Sequence, residues 1–450
     1  MVKKKVNLIT FLIALSVFAA LLVIPLFGDI KARQVFALLV FVAILWITEA
    51  IPLAATGFLI PVAAILMGLT SPAKGFLEFT NPIIFLFMGG FVLAGALSRY
   101  ALDKMLARKI TGLAKGNFYW SSVLLMLATS LTACWIGNTS STAMMLPLGL
   151  GMLSLSNRIN FSAESRFLML GIAYAANIGG VITMVSTPPN AIGASLLGIS
   201  FLGWMKYSIP VFLVTFPAMV IVLTLYFKPD RKISIAVLKS PTSFSGPAKI
   251  LIAIFLFTVV LWMMEGVLAP LLHMDNGFNA LVSGIAILMI FSFRILTLQE
   301  IIHSIRWEIL LLFGGGLTLG KLIDQSDLGV ILVNSISRMI NTVPFFIFLW
   351  LIIIFSIIFT EFMSNTASAA MTLPLLFALA TELHIQPVIL VLPATIAASY
   401  GFMLPAGTPP NAMVFSSGLV PQKDMLKVGL TINILFSIIL ASFFYLVLAS

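Results

Sequence analysis

Charge is what this sequence has least of. Of its 450 residues only 9% are Asp, Glu, Lys or Arg, against 61% hydrophobic, and the mean hydropathy is +1.15. Water-soluble domains carry about 25% charged residues, so a soluble globular protein is excluded, and a disordered chain with it. A single cysteine, Cys134, excludes an internal disulfide. The three histidines, His273, His303 and His384, are scattered at the ends of apolar runs, so no metal site is expected. No Walker-type motif is present, which disfavours ATP-driven work. The apolar segments hold no nucleophile and base in company, so an enzyme is not expected. The formal charge of +10 does not imply nucleic acid, because the basic residues lie between apolar runs, where they orient a chain in a lipid bilayer.

Long apolar runs are what the chain has in quantity. They fall near 8–27, 35–50, 53–69, 82–98, 167–198, 208–227, 249–270, 278–293, 308–323, 385–416 and 428–448. A helix needs about 20 residues to cross about 30 Å of hydrocarbon, and membrane barrels would show short alternating segments instead. Two further stretches, 119–155 and 345–380, carry polar clusters at their middles: Gly137-Asn138-Thr139-Ser140-Ser141-Thr142 and Ser364-Asn365-Thr366-Ala367-Ser368. An unbroken helix of ~36 residues would be ~54 Å long, too long for the bilayer. The fold class expected is therefore an all-α polytopic membrane protein with 11 transmembrane helices and two re-entrant hairpins. The basic start, Met1 to Lys5, leads into a first transmembrane helix and not a removed leader. Basic residues at Lys3–Lys5, Arg99–Lys115 and Lys228–Lys249 place the N-terminus in the cytoplasm of a plasma-membrane protein.

The halves repeat. Phe85–Gly90 matches Leu310–Gly315 at an offset of 225, Asn138–Leu148 matches Asn365–Leu375 at 227, and Thr187–Ala191 matches Thr408–Ala412 at 221. The organisation expected is an N-terminal helix (1–34), a first repeat (35–232), a cytoplasmic linker (233–248) and a second repeat (249–450). An odd number of crossings inverts the second unit. The charges agree, because Arg99–Lys115 holds five basic residues where its counterpart Ser326–Asn341 holds only Arg338. Inverted repeats with interrupted helices mark secondary transporters.

Each Thr-Pro-Pro-Asn block lies inside an apolar stretch too long for one straight span. Consecutive prolines remove two backbone donors and disfavour helix before them, so the segment must open and restart, with proline in the new first turn. Two hairpin return arms and two restarted half-helices then present four helix N-termini, each worth about half a positive charge. Together with Asn138, Thr139, Asn365 and Thr366 they suit a small dianion, as helix N-termini suit phosphate. The segments 119–155, 170–200, 345–380 and 385–416 contain no Lys or Arg. Carbonyls freed at each break form an oxygen cage for a hard cation such as Na⁺. Glu49 and Glu265, in matching Leu-Trp-x-x-Glu blocks, are read as structural or interface residues. Glu361 could position a cation, and Gly89-Gly90 and Gly314-Gly315-Gly316 should permit close helix packing.

These paired motifs resemble the divalent anion/Na⁺ symporter family, which includes bacterial dicarboxylate transporters, over nearly the whole chain. The resemblance implies a homodimer in which a scaffold domain holds the interface and a transport domain moves as an elevator. It implies transport of C4–C5 dicarboxylates such as succinate, malate, fumarate or 2-oxoglutarate, with sulfate carriage and an anion channel as rivals. The second tip, Ser364-Asn365-Thr366, matches the family pattern in full, and the first matches at Asn138 and Thr139. Substrate carboxylates are expected between the tips, near Pro188 and Pro409. The second cation site would use Thr360, Ser364, Asn365, Ala406 and Thr408. The first, at Gly137, Asn138 and Thr187, departs from the family: Gly137 and Ala133 stand where hydroxyl side chains are usual. Reduced sodium use, or exchange of one dicarboxylate for another, is therefore expected, with Na⁺ as coupling ion and no other cofactor.

Overall fold

A computed structural model of the chain describes residues 7–156, 162–236, 245–274, 276–326, 328–331, 333 and 342–448. Lys3–Lys5, much of the basic linker and most of the segment 326–341, Arg338 included, lie outside the described residues. Among the described residues there are 22 helices and no strand beyond one isolated bridge between Asn117 and Ser234.

The long helices are α1 (Leu8–Val23), α2 (Ile30–Thr48), α3 (Leu53–Leu66), α4 (Pro82–Arg99), α5 (Leu102–Gly112), α6 (Phe118–Ile136), α7 (Asn138–Leu155), α8 (Ala163–Gly179), α9 (Pro188–Leu197) and α10 (Phe201–Phe227). They continue as α11 (Gly246–Met263), α12 (Phe278–Ser292), α13 (Trp307–Asp324), α14 (Phe345–Phe362), α15 (Asn365–Glu382), α16 (Pro387–Ala397), α17 (Pro409–Ser416) and α18 (Gln422–Leu448). Short helices at Pro72–Gly75, Leu77–Thr80, Glu265–Leu271 and Leu298–Ser304 sit in the connections. Among the described residues, seven helices are long and apolar enough to cross a membrane by length and composition.

Local chemistry explains where the helices begin. Asn7, Asp29, Asn81, Asn117, Ser162, Ser200 and Ser245 accept from backbone amides of the first turn, satisfying donors that have no partner within the helix. Proline occupies the first turn of α4, α9, α11, α16 and α17, where its missing N–H costs nothing.

The repeat is visible element by element. The pairs α4 and α13, and α7 and α15, have 18 residues each, and α10 and α18 have 27 each. Both long polar-centred stretches fold back on themselves, α6 into α7 at Gly137 and α14 into α15 at Ser364. Both Thr-Pro-Pro-Asn stretches break, α8 from α9 across 180–187 and α16 from α17 across 398–408. The glycine blocks pack helices: a Cβ on Gly315 would overlap the Gly57 backbone of α3, and one on Gly89 would overlap Ser283 of α12.

Candidate functional site

Hairpin tips and helix breaks meet at one cavity of about 740 Å³. Its lining includes Gly137, Asn138 and Thr139 of the first tip, and Ser364, Asn365 and Thr366 of the second. The start of α9 supplies Thr187 and Pro188, and the second break supplies Ala406, Thr408 and Pro409. All the substrate and cation positions expected from the sequence line this space except Thr360, which is buried. Thr360 Oγ1 lies 2.8 Å from Asn365 Oδ1 and 2.8 Å from the Ala398 carbonyl, so it ties the second tip to the end of α16. The N-termini of α7, α9, α15 and α17 thus approach one volume. The partial positive charges at these helix ends can compensate an anion there.

The two breaks are held open by the same device. Asn190 Nδ2 donates to the carbonyls of Gly180 and Thr183, both at 2.8 Å. Asn411 Nδ2 donates to Gly401 and Leu404, at 2.9 and 3.0 Å. The asparagine of each Thr-Pro-Pro-Asn block is a brace for unwound backbone, which must find partners when it leaves the helix.

In the first break two further carbonyls are also taken. Trp204 Nε1 donates to Val181 at 2.9 Å, and Ser208 Oγ to Ile182 at 2.6 Å. At the first tip, Ser186 Oγ donates to the Ala133 carbonyl at 2.6 Å, and Thr183 Oγ1 donates to that of Cys134. The hydroxyls therefore come from the break instead of from 133 and 137, and they bond to carbonyls in the last turn of α6. Gly137 has φ +84, and a Cβ there would meet the Ser186 carbonyl at 3.0 Å, so the tight turn requires glycine. At the second tip and break, Ser364, Asn365, Ala406 and Thr408 face the same cavity.

Several functional contacts escaped the sequence reading. Asn177, fully buried in α8, accepts from Asn138 Nδ2 and donates to Thr408 Oγ1, both at 3.0 Å. It joins the first tip to the N-cap of α17, a link between the two repeats. Its signal was an amide within a run of small apolar residues. Glu361 accepts from the Met403 and Leu404 amides at 2.7 and 3.0 Å and from Asn433 Nδ2 at 2.7 Å. It therefore anchors the second break to α18. Arg306, at the start of α13, lines the cavity and donates from Nη2 to Ser140 Oγ at 3.2 Å. The segments carrying the tips are free of Lys and Arg as expected, yet this guanidinium enters from a different helix.

The matching glutamates separate. Glu265 Oε2 accepts from Phe201 N at 3.1 Å, at the start of α10, while Glu49 lines the cavity in the left-handed region at φ 46. No His, Cys, Asp and Glu cluster fit for a metal occurs among the described residues.

Comparison with known proteins is consistent with this arrangement. A model of the citrate transporter family matches residues 43–395 and 348–450. An uncharacterized transporter of Haemophilus influenzae is 38% identical over 448 residues, covering 98% of this chain and 97% of that one. A sodium-dependent dicarboxylate transporter, SdcS, of Staphylococcus aureus is 32% identical over 455 residues, covering 93% and 86%. The crystal structure of the YdaH transporter of Alcanivorax borkumensis superposes with a TM-score of 0.56 at 14% identity, covering 85% and 87%, a likeness of fold.

Proposed function

The chain belongs to the citrate transporter family, a group of membrane transport proteins and not of enzymes, and on that premise we propose that it carries C4–C5 dicarboxylates by alternating access. The reading is carried by one observation: four helix N-termini and two Asn-Thr tips, drawn from both repeats, line a single cavity. The carboxylates would sit between Asn138-Thr139 and Asn365-Thr366, near Pro188 and Pro409. In this reading the four termini supply about two positive charges, matching a doubly ionised diacid. Sulfate would meet the same charge, but a cavity of about 740 Å³ with polar groups at two separated tips suits the longer molecule better.

One sodium ion would couple through the second cage, Thr360, Ser364, Asn365, Ala406 and Thr408. The first cage, at Gly137, Asn138 and Thr187, would stay unused because 133 and 137 carry no hydroxyl, while the hydroxyls of Ser186 and Thr183 are turned to the Ala133 and Cys134 carbonyls. The sodium dependence of the Staphylococcus relative, in its printed name, supports a cation partner. The helices α6–α10 and α14–α18 would form the moving body, sliding against α2–α5 and α11–α13 in a homodimer. The second repeat would lie inverted, with the N-terminus in the cytoplasm and the protein in the plasma membrane.

Uptake of labelled succinate into proteoliposomes tests this, with external Na⁺ and internal dicarboxylate varied independently. Uptake that responds to Na⁺, or to internal succinate, supports carriage. Flux that saturates with neither, at rates far above carrier turnover, would assign a channel, and uptake of sulfate alone would replace the substrate class.

A further inference from the structure

At Arg306 the two repeats part company. Its counterpart at the offset of 225 is Asn81. Asn81 serves its own surroundings, accepting from Ile83 N at 3.1 Å and donating to Glu78 at 3.4 Å. Arg306 occupies the same position before α13 but makes no side-chain cap there. It reaches across to the first hairpin, where Nη2 donates to Ser140 Oγ at 3.2 Å. Ser140 directly follows Asn138-Thr139, and its own counterpart at 227 is Ala367, which has no hydroxyl. Both ends of this contact are therefore present in one repeat arrangement and missing in the other.

A guanidinium carries five N–H donors in a fixed fork suited to a carboxylate. Arg306 spends one on Ser140 and lines the cavity beside both tips. Placing a cation among membrane helices is costly, and such residues face wet cavities or partners with a purpose. Glu308, two residues on in the first turn of α13, also lines the cavity and offsets part of the charge.

We propose that Arg306 is a specificity-determining residue that binds a carboxylate of the substrate from the wall that carries no hairpin. The inference rests on the dicarboxylate reading above. A carboxylate seated at Asn138 and Thr139 lies one residue from the group that the guanidinium already touches. Arg306 belongs to α13 and the tips belong to α6–α7 and α14–α15. A sliding motion between these bodies separates the fork from the site. The corresponding wall of the opposite arrangement offers Asn81 and Ala367, a neutral amide and a methyl. The extra grip therefore acts at one face of the membrane only.

The test is the apparent affinity for succinate, measured from each face separately in proteoliposomes of uniform orientation. A hydrogen-bonded ion pair in a partly wet site predicts that Arg306→Gln weakens affinity from one face about 10- to 100-fold. Affinity from the other face should stay within about twofold, and Arg306→Lys should recover part of the loss. Ser140→Ala frees the guanidinium without removing it, so affinity from that face should hold or rise. A merely structural tie would behave the opposite way, with Ser140→Ala reproducing Arg306→Gln, and that result overturns the proposal. Equal loss from both faces, or none from either, overturns it too. If wild-type protein takes up no dicarboxylate, the transport reading falls with it. If wild type transports and Arg306→Gln matches it from both faces, only the Arg306 assignment falls.

Discussion

Replacing Asn177 separates a site built by two repeats from two sites that happen to adjoin. The side chain is fully buried and makes two hydrogen bonds of 3.0 Å, to Asn138 Nδ2 and Thr408 Oγ1. Asn177→Ala strands a donor on one side and an acceptor on the other. Leaving a buried polar group unsatisfied costs about 1–3 kcal/mol, but the two ends differ. Asn138 is half-buried at the cavity wall, where water can replace the lost acceptor. Thr408 is 1% exposed and keeps its bond from Asn411 N at 3.3 Å. The sum is about 2 kcal/mol, which is about 30-fold in affinity if it falls on site geometry. Asn177→Asp is the sharper arm. It keeps the acceptor for Asn138, and the Thr408 hydroxyl can turn to donate to it, so packing survives. It also sets a negative charge on the group that holds Asn138, where it would repel an anion seated at the first tip. Calorimetric titration with succinate, alongside a thermal melt, reads both effects. The reasoning predicts weaker binding for Ala and weaker still for Asp, with the melting temperature of Asp lowered by the cost of burying its charge. Succinate binding by Asn177→Asp as tight as wild type would refute it.

Other perturbations report on separate parts of the account. Asn138→Ala and Asn365→Ala should each abolish succinate uptake while the purified protein elutes as wild type does; normal uptake by either ends the substrate assignment. Asn190→Ala and Asn411→Ala each remove two bonds to unwound carbonyls, and each should lower stability by about 2 kcal/mol in a denaturation series. Gly315→Ala, which overlaps the Gly57 backbone, should cost about 1–3 kcal/mol or more, whereas Gly284→Ala meets open space and should leave the melting temperature unchanged or raised. With one cage lacking the hydroxyls of 133 and 137, uptake should rise with Na⁺ without cooperativity; a clearly sigmoidal response would mean that a second ion binds.

Much of this architecture was legible because its signals are local. Proline removes a donor wherever it stands, so Thr187-Pro188-Pro189 and Thr408-Pro409-Pro410 announced both breaks. A polar cluster in the middle of an over-long apolar run announced both hairpins, to within a residue of Gly137 and Ser364. Repetition of three blocks supplied the pairing of helices. What remained hidden depends on contacts across the fold. Nothing near Asn177 in sequence hints at Thr408, and nothing near Arg306 hints at Ser140. The missing hydroxyls at 133 and 137 suggested an incomplete cage, but not that Ser186 and Thr183 would fill the gap from another segment. Glu361 was legible as a buried charge beside the second tip, whereas its partners, the Met403 and Leu404 amides, became apparent only with the break folded against it.

The most direct test of the central claim is a structure of the protein with succinate bound. The account predicts density with one carboxylate at Asn138-Thr139 and the other at Asn365-Thr366, flanked by the starts of α9 and α17. Succinate seated elsewhere, for instance in the shallow surface pocket between Ser200 and Val267, with the space between the tips vacant, would contradict it.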